Sequence, residues 1–207
     1  MQEQPAVQAP KGRQQERAVP MSSILDNSTV RNAVLPFTVE QYHQLGEAGI
    51  VAESTELLRG IILRKPIKSP RHTWLVQFLA DWLRESLPPA FFVRQEQPLT
   101  LPDSEPEPDI AVIEGSPDDY RLAHPRTARL VMEVAISSVD LDREKAPLYA
   151  AAGIEEFWLV LPERKTVEVY TGASSGGYAN RQVHAEEETV SVGSLSGLTL
   201  ELGRLFA

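Results

Sequence analysis

Cysteine is absent from all 207 residues, which removes disulfides, thiolate metal sites and cysteine nucleophiles together. Long apolar runs are missing too. No stretch approaches the ~18 residues of a membrane span, and Met1 to Pro20 is polar and Gln-rich without the apolar core of a secretory signal. The expectation is a cytoplasmic protein with no membrane partner. Positive charge is in deficit, 20 Lys and Arg against 29 Asp and Glu for a net charge of -9. That argues against a chain that coats nucleic acid nonspecifically, while leaving room for a local basic groove. No internal repeat is evident. What is present is ordinary for a globular protein, 42% apolar and 24% charged, with length enough for one domain that buries a sizeable core.

Residues 1–35 mix Gln, Pro, Ala and Ser with Lys11, Arg13 and Arg17 and show neither helical nor strand period. They read as a disordered tail, because so little apolar surface does not offset the entropy of ordering. Residues 36–207 read as a single domain. Thr38 with Gln41 three positions later forms a capping-box pattern for a helix that Gly49 closes. Two short strands flank Gly60. Ser69-Pro70 then starts an amphipathic helix in which Trp74, Leu75, Phe78, Leu79, Trp82 and Leu83 recur at helical spacing to about Ser86. Strands are expected at Phe91 to Val93, Pro98 to Leu101, Ile110 to Ile113, Arg129 to Ile136, Glu156 to Leu161 and Lys165 to Tyr170, with weaker β signals at Thr189 to Val192 and Leu198 to Leu202. Pro147 predicts a loop up to about Lys145, with a helix or kinked helix ending at Gly153. Among Asp103, Glu105, Glu107 and Asp109, the first three lie in a proline-rich extended loop and are expected to face solvent.

The chemistry lies in the polar residues that interrupt core-like segments. Asp109 opens one buried strand and Glu133 stands inside another, and burying an ionised carboxylate costs several kcal/mol unless a cation compensates it. Lys145 follows twelve residues past Glu133. Two adjacent strands can bring Asp109 and Glu133 to one Mg²⁺ or Mn²⁺, with Lys145 beside the attacking water, as phosphodiester hydrolysis requires. A buried ion-pair network explains the same residues without catalysis. His72 sits in the first turn of its helix, where the helix N-terminus disfavours protonation. A neutral imidazole there is able to accept a proton or touch a metal, the alternative being a structural or solvated ring. Arg59, Arg64, Lys65, Lys68 and Arg71 form a basic run with no acid among them, read either as a phosphate-contacting rim or as a solvated charged edge.

Several pieces together resemble the Uma-type family of putative restriction endonucleases, a branch of the PD-(D/E)xK nuclease superfamily. They are Glu-Leu-Leu-Arg-Gly at 56–60, His72 before an apolar helix, Pro108-Asp109, Leu130-Val131-Met132-Glu133-Val134, Lys145 with the run from Pro147 to Val160, and the closing Leu195 to Leu202. The resemblance spans roughly residues 37–206. It implies an α/β (mixed α+β) fold, a restriction-endonuclease-like mixed β-sheet flanked by helices. It also implies Asp109 and Glu133 as metal ligands, the Val134 carbonyl as a third and Glu56 as a further acidic contributor. The superfamily's usual lysine, two residues after the acid, falls on Ala135, so Lys145 is implied as the migrated lysine. Ile136 stands where the family often has serine. The function implied is a Mg²⁺- or Mn²⁺-dependent DNA endonuclease, a homodimer in many relatives. The alternative is an inert nucleic-acid-binding or protein-interaction module that keeps the nuclease fold.

Overall fold

The computed structural model describes residues 26–207. The chain separates into two units at Leu35 and Pro36. In the first, the described part carries one helix, α1 (Ser28–Ala33), capped by the Asn27 side chain, which accepts from the Thr29 N–H at 2.9 Å. A helix therefore stands within the stretch expected to have none. It buries no residue, so no apolar period announces it in the sequence. The rest of that expected tail, residues 1–25, lies outside the described residues.

The second unit opens with α2 (Val39–Glu47), whose Thr38 and Gln41 side chains cap each other's backbone N–H groups as expected. Next comes the antiparallel hairpin of β1 (Thr55–Leu58) and β2 (Ile61–Arg64). Its two turn residues, Arg59 and Gly60, both have positive φ, at 48° and 74°, the backbone of a two-residue type I′ turn. Then α3 (Pro70–Ser86) leads into a six-stranded sheet. Its strands are β3 (Phe91–Gln95), β4 (Ile110–Glu114), β5 (Leu130–Val134), β6 (Glu156–Leu161), β7 (Thr166–Ser174) and β8 (Gly177–Ala185), side by side in chain order. All neighbours are antiparallel except β5 and β6, which α4 (Val139–Ala151) connects. A second antiparallel pair, β9 (Thr189–Ser191) with β10 (Thr199–Glu201), precedes α5 (Leu202–Phe206).

Alternation along the strands divides the core in two. Ile110, Val112, Leu130, Met132 and Val160 face α3 and α5, while Ala111, Ile113, Val131, Phe157 and Leu159 face α4. With both faces covered, the central strands read as unbroken apolar runs. Asp109 and Glu133 share the parity of Ala111 and Val131, so both belong to the α4 side.

Five expectations are corrected. Pro98 to Leu101 is not a strand. The N–H groups of Leu99, Thr100 and Leu101 go to three separate loop carbonyls, those of Pro106, Pro125 and Ser104, each at 2.9 Å. The loop expected before Lys145 is instead helical from Val139. Pro147 removes one N–H from α4, but Leu148, Tyr149 and Ala150 bury against the sheet, and packing rather than local propensity holds the helix. Glu105 is not solvent-facing; it is buried beneath His43, which it meets at 2.7 Å. Trp74 falls off the buried face of α3 and is 50% exposed. Finally, β8 has no counterpart among the expected strands. It is the polar edge of the sheet, with Ala179 to Val183 exposed, and so lacks the apolar signal that marks an inner strand.

Candidate active site

The register of β4 on β5 pairs Ile110 with Met132, so Asp109 and Glu133 are the next positions along, where the backbone ladder stops. Their carboxylates take over from it. The Asp109 N–H donates to Glu133 Oε2 at 3.3 Å, and the Val134 N–H donates to Asp109 Oδ2 at 2.8 Å. From α4, the Lys145 ammonium lies 3.1 Å from Glu133 Oε1, 3.1 Å from Glu56 Oε2 and 3.4 Å from Asp142 Oδ1. One turn further on, the Tyr149 hydroxyl donates to Glu133 Oε1 at 2.7 Å. All six of these side chains are buried. Glu56 Oε2 accepts no hydrogen bond despite its proximity to the ammonium, so its charge is met electrostatically but not by a directed donor.

One cation among three carboxylates sets the protonation. Burial pushes the Glu133 carboxyl up, against the pull of Lys145 and with the help of Asp142, Asp109 and Glu56, to about 8. Burial opposes the charge on Lys145, but Glu133, Glu56 and Asp142 outweigh it and hold the ammonium above its ordinary value. Burial and the adjacent Glu133 likewise raise the Tyr149 phenol. Lys145 is thus a fixed positive charge rather than a proton acceptor.

His72 arrives from the other side of the sheet. Ser69 caps α3 by accepting from the His72 backbone N–H at 3.2 Å, which aims the ring at the start of β4. His72 Nε2 lies 3.1 Å from Asp109 Oδ2, and Nδ1 is buried without a partner. His72, Asp109, Glu133, Val134, Glu56 and Lys145 all line one cleft of about 90 Å³. The structure therefore brings together every residue expected to do chemistry. The basic run is more dispersed: Lys65 pairs with Glu107, Lys68 with Glu96 and Arg71 with Glu163, each at 2.7 Å. Arg59 and Arg64 stand exposed at the hairpin.

Three residues at the site carry no signal in the sequence taken alone. Asp142 and Tyr149 lie three before and four after Lys145, the spacing of one helix face, and become legible only once α4 begins at Val139. Glu96 lies just past β3 and gives no spacing signal. It joins His72 and Asp109 in a group whose ligand atoms all lie within 4.8 Å of one another.

A family model described as Uma2, putative restriction endonuclease, matches residues 39–203. None of the curated proteins matches the chain. Among solved structures, the fold is similar to that of a putative nuclease belonging to DUF820 from Anabaena variabilis ATCC 29413. The TM-score is 0.69, over 83% of this chain and 98% of that one, with 20% sequence identity. At that identity the likeness concerns the fold.

Proposed function

This chain belongs to the Uma2 family of putative restriction endonucleases, and from that premise we propose that it is a metal-dependent endonuclease hydrolysing phosphodiester bonds of DNA. The observation that carries the reading is the excess of buried carboxylate at the cleft: Glu56, Glu133 and Asp142 surround a single ammonium, and one Glu56 oxygen accepts no hydrogen bond. Such a set suits a hard divalent cation. Asp109, Glu133, the Val134 carbonyl and Glu56 would hold Mg²⁺ or Mn²⁺, which supplies Lewis-acid polarisation of the phosphate and acidifies a bound water.

The chain's own residues do the rest. Lys145, kept charged by its three carboxylates, stabilises the negative charge that builds on the phosphoryl oxygens. Asp142 and Tyr149 hold Lys145 and Glu133 in place. His72, with Nε2 3.1 Å from Asp109 Oδ2, orients that carboxylate at the cleft. Arg59 and Arg64, together with Lys65, Lys68 and Arg71 when they release their carboxylates, line the DNA backbone.

Plasmid incubated with protein and Mg²⁺ or Mn²⁺ is cut by the wild type and not by Asp109→Asn or Lys145→Ala. Equal cutting by all three proteins rejects the site. An inert module keeping the fold is the rival reading, favoured by the ion pairs that already occupy Lys65, Lys68 and Arg71. Calorimetry with Mg²⁺ separates the two: heat in the wild type that Glu133→Gln loses supports the hydrolase, and equal or absent heat supports the module.

A further inference from the structure

Asp109 has an acidic neighbour on each side. β3 pairs Gln95 with Ile110, so Glu96 is the next position facing Asp109, and its N–H donates to the Asp109 carbonyl at 3.0 Å. Glu96, Asp109 and Glu133 thus stand in a row across three adjacent strands, where like charges directly opposite destabilise the pairing. The two outer acids each have an ammonium: Lys145 serves Glu133 and Lys68 serves Glu96. Among the described residues Asp109 has no lysine or arginine within ion-pair reach. Its partners are the Val134 N–H and the His72 ring.

We propose that His72, Glu96 and Asp109 form a second divalent-cation seat, separate from the Asp109–Glu133 set, that takes ions tolerant of nitrogen such as Mn²⁺, Co²⁺ or Zn²⁺ in preference to Mg²⁺. Four observations support it. The three ligand atoms lie within 4.8 Å of one another. The 3.1 Å between His72 Nε2 and Asp109 Oδ2 lies between the ~3.0 Å and ~3.4 Å that separate neighbouring ligand atoms in octahedral and tetrahedral shells at ~2.1 Å. Lys68 Nζ lies 2.7 Å from Glu96 Oε1, so this carboxylate already serves a cation. His72 keeps one buried ring nitrogen without a partner, so the ring is not committed to a second protein group. The selectivity follows from the donors: one imidazole favours first-row transition ions, increasingly from Mn²⁺ to Co²⁺ and with Zn²⁺ well suited, whereas Mg²⁺ prefers an all-oxygen shell. The seat shares Asp109 with the proposed hydrolase site and rests on that reading for its part in cleavage, though not for its existence. Lys68 is the cation that neutralises Glu96 when no ion is bound, and so it competes with loading.

The test is a Co²⁺ titration of the full chain in saturating Mg²⁺, read by visible absorption, with His72 followed by NMR. The wild type takes up one Co²⁺ per chain and the His72 signal broadens. Glu96→Gln weakens Co²⁺ binding at least tenfold, the scale on which metal sites respond to lost ligand interactions, and Lys68→Gln strengthens it. Co²⁺ binding that ignores both variants, or no Co²⁺ binding beside Mg²⁺, overturns the seat. Plasmid cutting in Mg²⁺ by a wild type whose Co²⁺ binding is indifferent to Glu96 would sink the seat and leave the hydrolase. Glu96-dependent Co²⁺ binding in a wild type that cuts no DNA would do the reverse.

Discussion

Lys145 is the residue on which the electrostatics of the core turn. Replacing it by methionine keeps the volume but leaves Glu56, Glu133 and Asp142 buried without their ammonium. Breaking a buried pair in this way costs about 3–5 kcal/mol, and at this chain length each kcal/mol moves the melting temperature by roughly 2–4 °C. Lys145→Met is therefore expected to melt on the order of 10 °C below wild type in a calorimeter. The raised Glu133 carboxyl makes a second prediction. Its folded value of about 8 lies above the unfolded value of 4.5, so the stability tied to its proton is complete below pH ~4.5 and is lost as pH rises through 8. Urea midpoints of the metal-free protein should fall over that window, and Glu133→Gln should flatten the fall. At this scale the sequence is informative where a charge breaks an apolar run, as at Asp109, Glu133 and Lys145. It is silent at Glu96, because nothing in a polar turn distinguishes a residue that tertiary register sets opposite Asp109.

Elements are legible where a cap or a buried face marks them. Helix α2 buries no residue and is announced by its Thr38–Gln41 capping pair, α3 carries its apolar period, and the inner strands β4, β5 and β6 show as apolar runs. The edge strand β8 carries none, and α4 is obscured by a proline whose local cost its packing absorbs. Glu168 shows what ties these less legible elements down. Buried on β7, it accepts paired hydrogen bonds from Arg143 of α4 and Arg181 of β8 and one from the Tyr170 hydroxyl. Burial alone would raise its carboxyl, but those donors and the charge of Arg181 hold it down at about 2. A depressed carboxyl stabilises fully above its unfolded value of 4.5, and that stability is lost as pH falls through 2. Acid unfolding between pH ~4.5 and ~2 should accordingly be steeper in the wild type than in Glu168→Gln. The β1–β2 turn gives a plainer test. Gly60 has φ +74°, and a Cβ there would meet Pro36 Cβ at 2.3 Å and the Phe37 carbonyl oxygen at 2.9 Å. Gly60→Ala should lose roughly 1–3 kcal/mol in urea denaturation through strain and displacement of that segment.

Across the whole molecule, acidity restrains the basic rim. Among the described residues no helix is long and apolar enough to cross a membrane. In a chain of net charge -9, Lys65 and Lys68 at the cleft and Arg71 on α3 are already paired with carboxylates. Releasing one of them should be measurable. Glu163→Gln removes the carboxylate from Arg71, which keeps its bond to the Pro162 carbonyl, so on the proposed reading DNA affinity should rise at low salt, and the slope of log affinity against log salt should steepen by about 0.9 for one more phosphate neutralised. Fluorescence anisotropy over a salt series checks it, and an unchanged slope would place Arg71 off the DNA path. The reciprocal hydrogen bonds between Asp109 and the end of β5 have a consequence for descent. Because Val134 needs an acceptor at position 109, selection for a closed sheet alone retains aspartate or asparagine there, and selection for a neutralised core alone retains Lys145. A lineage that abandoned catalysis would keep both. The His72 side chain makes no hydrogen bond to the backbone of either strand, so position 72 would drift first, and its identity across descendants would record whether the proposed chemistry is under selection.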